Sequence, residues 1–295
     1  MKTLLRLTIL FVFISATINA QRFDKVEIKT TKLSDHTYML EGAGGNIGIS
    51  VGEDGVFVID DQFAPLSEKI LTAIKALSDK PLKFLVNTHY HGDHSGGNEN
   101  MTKAGATIIA HDNVKKRLEA KQRDGSYQAK EALPVITFND KLNIIINDES
   151  IAVFHVANAH TDGDALLYFT ESNVLHTGDT YFNGRYPYID LSSGGSVEGY
   201  IEAAKRGLMV IDDETKIIPG HGELSNKEEY KTFLAMLETL RTSIQKAIDE
   251  GKTEDDIKSD ESLTKTYDDL GYGTGFINSE KIRLTFYTSL KIIKS

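Results

Sequence analysis

Residues 87–98 read NTHYHGDHSGGN, which places three histidines and one aspartate within six consecutive positions. In an extended chain, side chains two positions apart point the same way, so His89 and His91 can bind one ion. Asp93 and His94 follow a glycine turn and can face a second ion. Imidazole and carboxylate are common zinc ligands, and a site that leaves one position for water is of the catalytic kind. The alternative, a polar loop that binds no metal, is disfavoured. The segment therefore predicts a catalytic metal site.

Three later segments also place metal-binding residue types where predicted strands end. His160 lies in NAHT, Asp179 in HTGDT and His221 in IPGHG. The remaining histidines stand alone at strand edges or loop starts and are interpreted as structural: His36, His111, His155 and His176. Of these, His176 lies close to Asp179 in sequence and is a candidate to orient a ligand by hydrogen bonding.

These segments together resemble the signature of the metallo-β-lactamase superfamily, which is a His-x-His-x-Asp-His loop, a single His, a Gly-Asp and a final Gly-His. The resemblance covers roughly residues 25–225 and includes all seven ligand positions in order. It implies that one zinc ion is held by His89, His91 and His160, and a second by Asp93, His94 and His221, with Asp179 as the bridge. The implied cofactor is therefore two Zn²⁺ ions, with iron or manganese as less favoured alternatives.

The resemblance also implies a reaction. A hydroxide held between two ions would attack an ester, thioester, lactone or amide carbonyl, because metal binding lowers the pKa of water from about 15.7 to about 7. Asp93 is the implied catalytic residue, which orients this water or takes up its proton.

Hydrophobic patterning predicts two strand-rich halves with helices outside each. Predicted strands cover residues 25–30, 37–41, 46–51, 55–61, 82–87, 106–110, 135–138, 142–147, 151–156, 165–169, 174–177 and 216–219. Predicted helices cover residues 66–77, 98–103, 112–123, 197–209 and 226–250, with short helices beyond residue 252. We therefore expect an α+β fold in a single domain: a four-layer αβ/βα sandwich of the metallo-β-lactamase type, with two packed mixed sheets and outer helices.

Residues 1–20 predict a signal peptide, because a basic start and a short apolar run precede small residues that end at Ala20. An uncleaved anchor helix and a buried strand are the alternatives. Cleavage would leave a metallo-β-lactamase-like domain with C-terminal helices at residues 21–295, and would move the formal charge from −10 to −12 through loss of Lys2 and Arg6. We expect a periplasmic or secreted protein without membrane association after cleavage.

The composition limits the kinds of ligand and partner that the protein can bind. The chain has no cysteine, so a metal site must be built from histidines and carboxylates. Its acidic balance argues against a nucleic-acid partner, which needs an extended basic surface, and favours a small-molecule substrate. Composition leaves the oligomeric state open.

The segment TYFNGRYPYID over residues 180–190 directly follows the Asp179 candidate and is rich in aromatic residues. Such a loop is typical of a substrate wall, and we predict substrate contacts for Tyr181, Asn183 and Arg185. The alternative is a loop that packs its aromatic rings onto the body of the fold. The serines that follow, at residues 192–196, are interpreted as a cap for the next helix.

The sequence alone leaves several functions open. We predict a secreted zinc-dependent hydrolase; the alternatives are a class B β-lactamase, a non-catalytic metal-binding or sensing protein, and an iron-dependent oxidoreductase. The β-lactamase subclass with a cysteine at the second metal is disfavoured, because Asp179 and Phe182 stand where that subclass has Cys and Lys. The bridging Asp is instead similar to that of hydroxyacylglutathione thioesterases and lactone hydrolases. The lack of a basic C-terminal cluster and the predicted export argue against glutathione esters.

Overall fold

The computed structural model describes residues 23–122 and 125–292. Its first sheet has seven strands in sequential order. These are β1 (Lys29–Lys32), β2 (Thr37–Glu41), β3 (Ile47–Gly52), β4 (Gly55–Ile59), β5 (Leu82–Asn87), β6 (Thr107–His111) and β7 (Ile136–Phe138). Strands β1 to β4 pair antiparallel, whereas β4 to β7 pair parallel, so the sheet is mixed.

The second sheet has five strands in the order β12-β11-β10-β9-β8. These are β8 (Lys141–Ile146), β9 (Glu149–His155), β10 (Ala165–Phe169), β11 (Val174–His176) and β12 (Lys216–Ile218). All pairs are antiparallel except β11 with β12. Asn147 and Asp148 both adopt a φ of 57° in the β8–β9 hairpin, a conformation that Asn and Asp tolerate and that two-residue hairpin turns require.

Helices surround the two sheets. They are α1 (Ser67–Leu77), α2 (Gly92–Ser95), α3 (Asn98–Lys103), α4 (Asp112–Glu119), α5 (Val197–Val210), α6 (Lys227–Asp249), α7 (Glu254–Ser259), α8 (Lys265–Asp268) and α9 (Ser279–Ile292). Ser196 caps the start of helix α5, because its hydroxyl accepts a hydrogen bond from Gly199 N as the sequence predicts. Within the described ranges, no helix combines the length and apolar character that crossing a bilayer requires.

Three apolar layers hold these elements together. Between the sheets, side chains of both inner faces interdigitate, as where Phe57 meets Phe169 edge-on at 6.0 Å between ring centroids. Helix α1 covers the outer face of the first sheet. Helices α5, α6 and α9 cover the outer face of the second. The α+β prediction of two packed mixed sheets with outer helices is confirmed.

Some predicted boundaries differ from the observed ones. The first strand covers Lys29–Lys32 rather than residues 25–30, and the helix predicted over residues 112–123 ends at Glu119. Ala120 stops that helix because its backbone is extended, with φ −69° and ψ 154°. The predicted signal peptide lies outside the described residues, and the boundary at residues 20–21 stays a prediction.

Candidate metal centre

The seven candidate ligands meet at one edge of the sandwich, because each follows the carboxyl end of a strand. The loop after β5 and the short helix α2 carry four of them, and the turns after β9, β11 and β12 carry one each. In chain order they are His89, His91, Asp93 and His94, then His160, Asp179 and His221. Loops held by rigid strand ends are the usual location of functional side chains.

The ligand atoms form two groups. His89, His91, His160 and Asp179 place one donor atom each within 4.8 Å of one another, and so do Asp93, His94 and His221. This is the division implied by the sequence resemblance.

Asp179 lies between the two groups and presents one oxygen to each. Its Oδ2 lies 3.8 Å from His89 Nε2 and 3.5 Å from His160 Nε2. Its Oδ1 lies 2.9 Å from His94 Nε2 and 3.4 Å from His221 Nε2. This geometry suits a carboxylate that bridges two cations.

Hydrogen bonds fix the tautomers of the first group. His91 donates from Nε2 to Asp190 Oδ2 at 3.1 Å, and His160 donates from Nδ1 to Tyr188 O at 2.8 Å. The other nitrogens, His91 Nδ1 and His160 Nε2, then face each other with lone pairs at 2.8 Å. Two lone pairs repel at this distance unless a cation lies between them.

One buried atom supports a metal at this site. His89 Nε2 has no hydrogen-bond partner among the described residues, although buried polar atoms ordinarily have one. His89 Nδ1 lies 3.1 Å from Thr88 Oγ1, so Nε2 is the nitrogen left for a metal. A donor set of imidazoles and carboxylates around this unpaired atom fits divalent cations such as zinc.

The two donor groups differ in the protonation of their histidines. Burial lowers the pKa of His89 well below its usual value and also lowers that of His160, so both stay neutral. Burial alone would raise the pKa of Asp179, yet the neighbouring His94 and His221 hold it well below its usual range. The same carboxylate raises the pKa of His221 to about 9 against the effect of burial. Metal binding must displace such protons.

Two carboxylates orient the candidate ligands by hydrogen bonding, and the sequence did not predict this role for either of them. Asp60 Oδ2 accepts from His94 Nδ1 at 2.7 Å and from Thr88 Oγ1 at 2.8 Å, and Asp190 holds His91 as described above. Asp60 is fully buried with a φ of 63°, a strained conformation of the kind found at functional sites. Asp60 belongs to the acidic pair that directly follows β4, and this pair is the feature of the sequence that could have indicated its role.

Backbone contacts position Asp179. The hydroxyl of the buried Tyr200, on α5, donates to Asp179 O. His176 accepts at Nδ1 from Gly178 N at 3.2 Å, so it shapes the turn before Asp179 and lies in neither donor group. Gly220 is needed for close approach, because a Cβ at this position would lie 2.2 Å from Asp179 Oδ1.

A cavity of about 820 Å³ opens onto the two groups, and Asp93, Asp179 and His221 line it. Arg117 lies on its wall but is held by Asp162 through hydrogen bonds of 2.6 and 2.8 Å. This is a volume typical of small-molecule sites.

The predicted substrate contacts fall in three different places. Tyr181 is fully buried, where its ring contacts Tyr230 and Phe233 of α6, so its predicted substrate contact is wrong. Asn183 does not line the cavity, and its side chain bonds to Tyr181 and the Glu223 carbonyl. Arg185 lines the cavity with an exposed side chain, and its substrate contact stays a prediction.

A family model matches the chain, and several proteins are similar to parts of it. The sequence profile of the metallo-beta-lactamase superfamily matches residues 41–221. A hydroxyacylglutathione hydrolase of Pelagibacter ubique is 30% identical over 162 residues, which are 50% of this chain and 56% of the relative. The 2,4-dinitroanisole O-demethylase subunit alpha of a Nocardioides species is 23% identical over 65% of this chain and 60% of that protein. The chain thus spans little more than half the length of these relatives.

Solved structures share the fold. A metallo-beta-lactamase from Pontibacter korlensis superposes with a TM-score of 0.61 at 19% identity, over 72% of this chain and 99% of that one. The DIM-1 metallo-beta-lactamase gives a TM-score of 0.61 at 16% identity, over 73% and 99%. At these identities the likeness concerns the fold alone.

Proposed function

The chain belongs to the metallo-beta-lactamase superfamily, and from that premise we propose that it is a secreted hydrolase that uses two zinc ions to cleave an ester, thioester, lactone or amide bond. The bridging geometry of Asp179 carries the proposal, since one oxygen faces each donor group at the floor of a cavity. Six further residues complete the proposed ligand set: His89, His91 and His160 for one ion, and Asp93, His94 and His221 for the other.

The bound ions would supply Lewis acidity that activates water at neutral pH and stabilises charge on the substrate oxygen. The residues of this chain supply position and proton transfer. Asp93 Oδ2 lies 3.3 Å from His221 Nε2, and its side chain is 29% exposed towards the cavity it lines. The pKa of Asp93 is lowered by His94 and His221 against the effect of burial, so the carboxylate is ionised and can orient water and accept its proton.

Thioesters and esters rank first among the substrates. The relative named hydroxyacylglutathione hydrolase supports a thioester, whereas the named β-lactamases support the fold alone. Class B β-lactamase activity and a non-catalytic metal-binding role are the alternatives that an assay must separate.

The test uses protein of residues 21–295 purified without added metal, with metal content measured by mass spectrometry. We expect a thioester, an ester and a lactone to be hydrolysed, with loss of activity on chelation and recovery with Zn²⁺. A chromogenic cephalosporin measures the β-lactamase alternative. Zinc-loaded protein that turns over none of these substrates contradicts the proposed substrate classes and favours the non-catalytic alternative. Activity that survives exhaustive chelation excludes a metallohydrolase.

Ligand variants and a matched histidine control localise the activity. His89→Ala and Asp179→Ala should each lower turnover of every substrate by orders of magnitude together with metal content. His36→Ala removes an exposed histidine outside both donor groups and should change neither.

Secretion is a separate part of the proposal and rests on the sequence of residues 1–20. Expression of the full chain in a bacterium with a periplasm should give a mature protein that begins at Gln21. Full-length protein in the cytoplasm would exclude export by this segment.

A further inference from the structure

A large aromatic side chain lies exposed at the mouth of the cavity. Phe276 is 76% exposed and yet lines the cavity together with the buried Ile277. Single exposed apolar residues are common on proteins, but an exposed aromatic ring on the wall of a cavity is a feature of binding sites.

Aromatic rings connect Phe276 with the metal centre. The ring of Tyr188 stacks on that of His91, with centroids 6.0 Å apart and an interplanar angle of 28°. Phe276 meets Tyr188 edge-on, at 5.8 Å and 88°. A continuous wall therefore runs from a proposed metal ligand to the cavity mouth, and we call Tyr188 with Phe276 the aromatic wall.

Lys281 also contacts Phe276. The Lys281 ammonium lies 5.1 Å from the centroid of the Phe276 ring, a cation–π distance, and 3.4 Å from the Phe276 carbonyl oxygen. With Tyr188 at its edge, the ring has contacts with two side chains, while most of its surface stays accessible to a ligand.

Other apolar side chains extend this surface across the cavity. Phe182 stacks on His221 at 5.0 Å and 25°, so the second donor group also has an aromatic neighbour. Leu118 and Phe63 line the cavity too. A volume of about 820 Å³ with such walls far exceeds the space that an acetyl group occupies.

We infer that the aromatic wall makes this site selective for substrates that carry an extended apolar chain or ring next to the scissile bond, with Phe276 as a specificity-determining residue. This inference rests on the proposed hydrolase function. Phe276 lies beyond residues 41–221, so the family match does not include it.

Pairs of substrates test the wall. In the first pair, acetyl and 4-phenylbutanoyl thioesters share N-acetylcysteamine as a small polar leaving group. In the second pair, methyl and benzyl thiol esters share an acetyl group. Wild-type protein should prefer the apolar member of at least one pair. Phe276→Ala should lower kcat/KM for that member by about 10-fold or more, the range that changes in apolar pocket contacts produce, and leave the small member within about twofold.

A matched control is available in the same segment. Leu270 is 67% exposed but does not line the cavity, so Leu270→Ala should leave both ratios unchanged. Equal losses for both members of each pair with Phe276→Ala, or unchanged ratios, would overturn the inference.

A binding measurement separates this inference from the proposed function. Titration calorimetry uses 4-phenylbutyrate and benzyl alcohol, which carry the apolar groups of the first and the second pair. At least one of them should bind about 10-fold more weakly to Phe276→Ala than to the wild type. The hydrolase proposal fails and the wall stands if the wild type hydrolyses none of the substrates, while Phe276→Ala still shows this loss of binding. The wall fails and the hydrolase stands if the wild type is active, while Phe276→Ala changes neither ratio and the binding of neither ligand. Metal content equal to that of the wild type confirms that the variant is folded at the centre.

Discussion

Adding one methyl group at Gly220 should disable the metal centre. The Cβ of Gly220→Ala would lie 2.2 Å from Asp179 Oδ1 and 2.5 Å from Gly178 O, below the 3.0 Å that real Cβ contacts essentially never undercut. The main chain cannot retreat easily, because Gly220 N donates to Tyr181 O at 3.0 Å and Gly220 O accepts from Asn46 N at 2.8 Å. Asp179 must therefore move by about 1 Å, a displacement that can lower catalysis by about 100-fold, or about 2.7 kcal/mol.

The assay measures Zn²⁺ affinity by competition with a chromophoric chelator, with kcat/KM on the best thioester as the second readout. Gly92→Ala is the matched control, since its Cβ meets nothing within 4 Å in the same ligand loop, so both Zn²⁺ ions should bind as in the wild type. Thermal melts of the metal-free proteins separate a local effect from unfolding. Wild-type affinity for two ions in Gly220→Ala would refute the proposed bridge at Asp179.

Three further substitutions test two groups that support the centre and one histidine that lies outside it. Tyr200→Phe removes the donor to the Asp179 carbonyl and should lower Zn²⁺ affinity by about 10-fold while far-UV circular dichroism is unchanged; unchanged affinity would limit Tyr200 to packing. Asp190→Asn weakens the acceptor for His91 and should lower Zn²⁺ affinity by about 10-fold to 100-fold in the same titration, whereas wild-type binding would show that His91 needs no partner. Burial lowers the pKa of His111, and a second histidine stacked on its ring lowers this pKa further. The neutral form of His111 therefore contributes stability that is present above about pH 6.5 and is lost as the pH falls. His111→Asn should therefore reduce the acid-induced loss of unfolding free energy of the metal-free protein, and an equal loss in both proteins would contradict this.

The clustering of the seven candidate ligands was predictable because metal binding restricts residue type. Only a few side chains bind zinc, and a cysteine-free chain reduces the choice to histidines and carboxylates. Their positions at strand ends follow from the alternation pattern, which marks where each strand stops. The turn between β8 and β9 was predicted at residues 148–150, whereas Asn147 and Asp148 form it, because these residue types tolerate the positive φ that the hairpin requires.

The groups that orient the ligands left weaker signals. Asp60 and His94 are 34 positions apart, and His91 and Asp190 are 99 apart. A carboxylate that accepts from a distant histidine looks like any other acid in the sequence, because its role depends on which loops meet. Tyr200 left an equally weak signal in the sequence. Its role depends on the packing of α5, which places the Tyr200 hydroxyl against the Asp179 carbonyl oxygen.

The error at Tyr181 has a local cause. In the extended segment after Asp179, successive side chains point to opposite sides. Tyr181 and Asn183 share one side and bond to each other at 3.0 Å, whereas Phe182 points to the cavity and stacks on His221. Proximity to a metal ligand predicted the right segment, but only the register of that segment decides which side chains can contact a substrate.

The metal centre and the aromatic wall are encoded in different ways, and this separates their functions. The centre depends on ligand types held at strand ends, so its substitutions should affect every substrate. The wall includes Phe276 from the segment between α8 and α9, for which the sequence predicted only short terminal helices. Because Phe276 belongs to neither donor group, it can be exchanged without removing a ligand. We therefore expect substitutions in the aromatic wall, rather than in the seven residues that would hold the metal, to change the substrate preference.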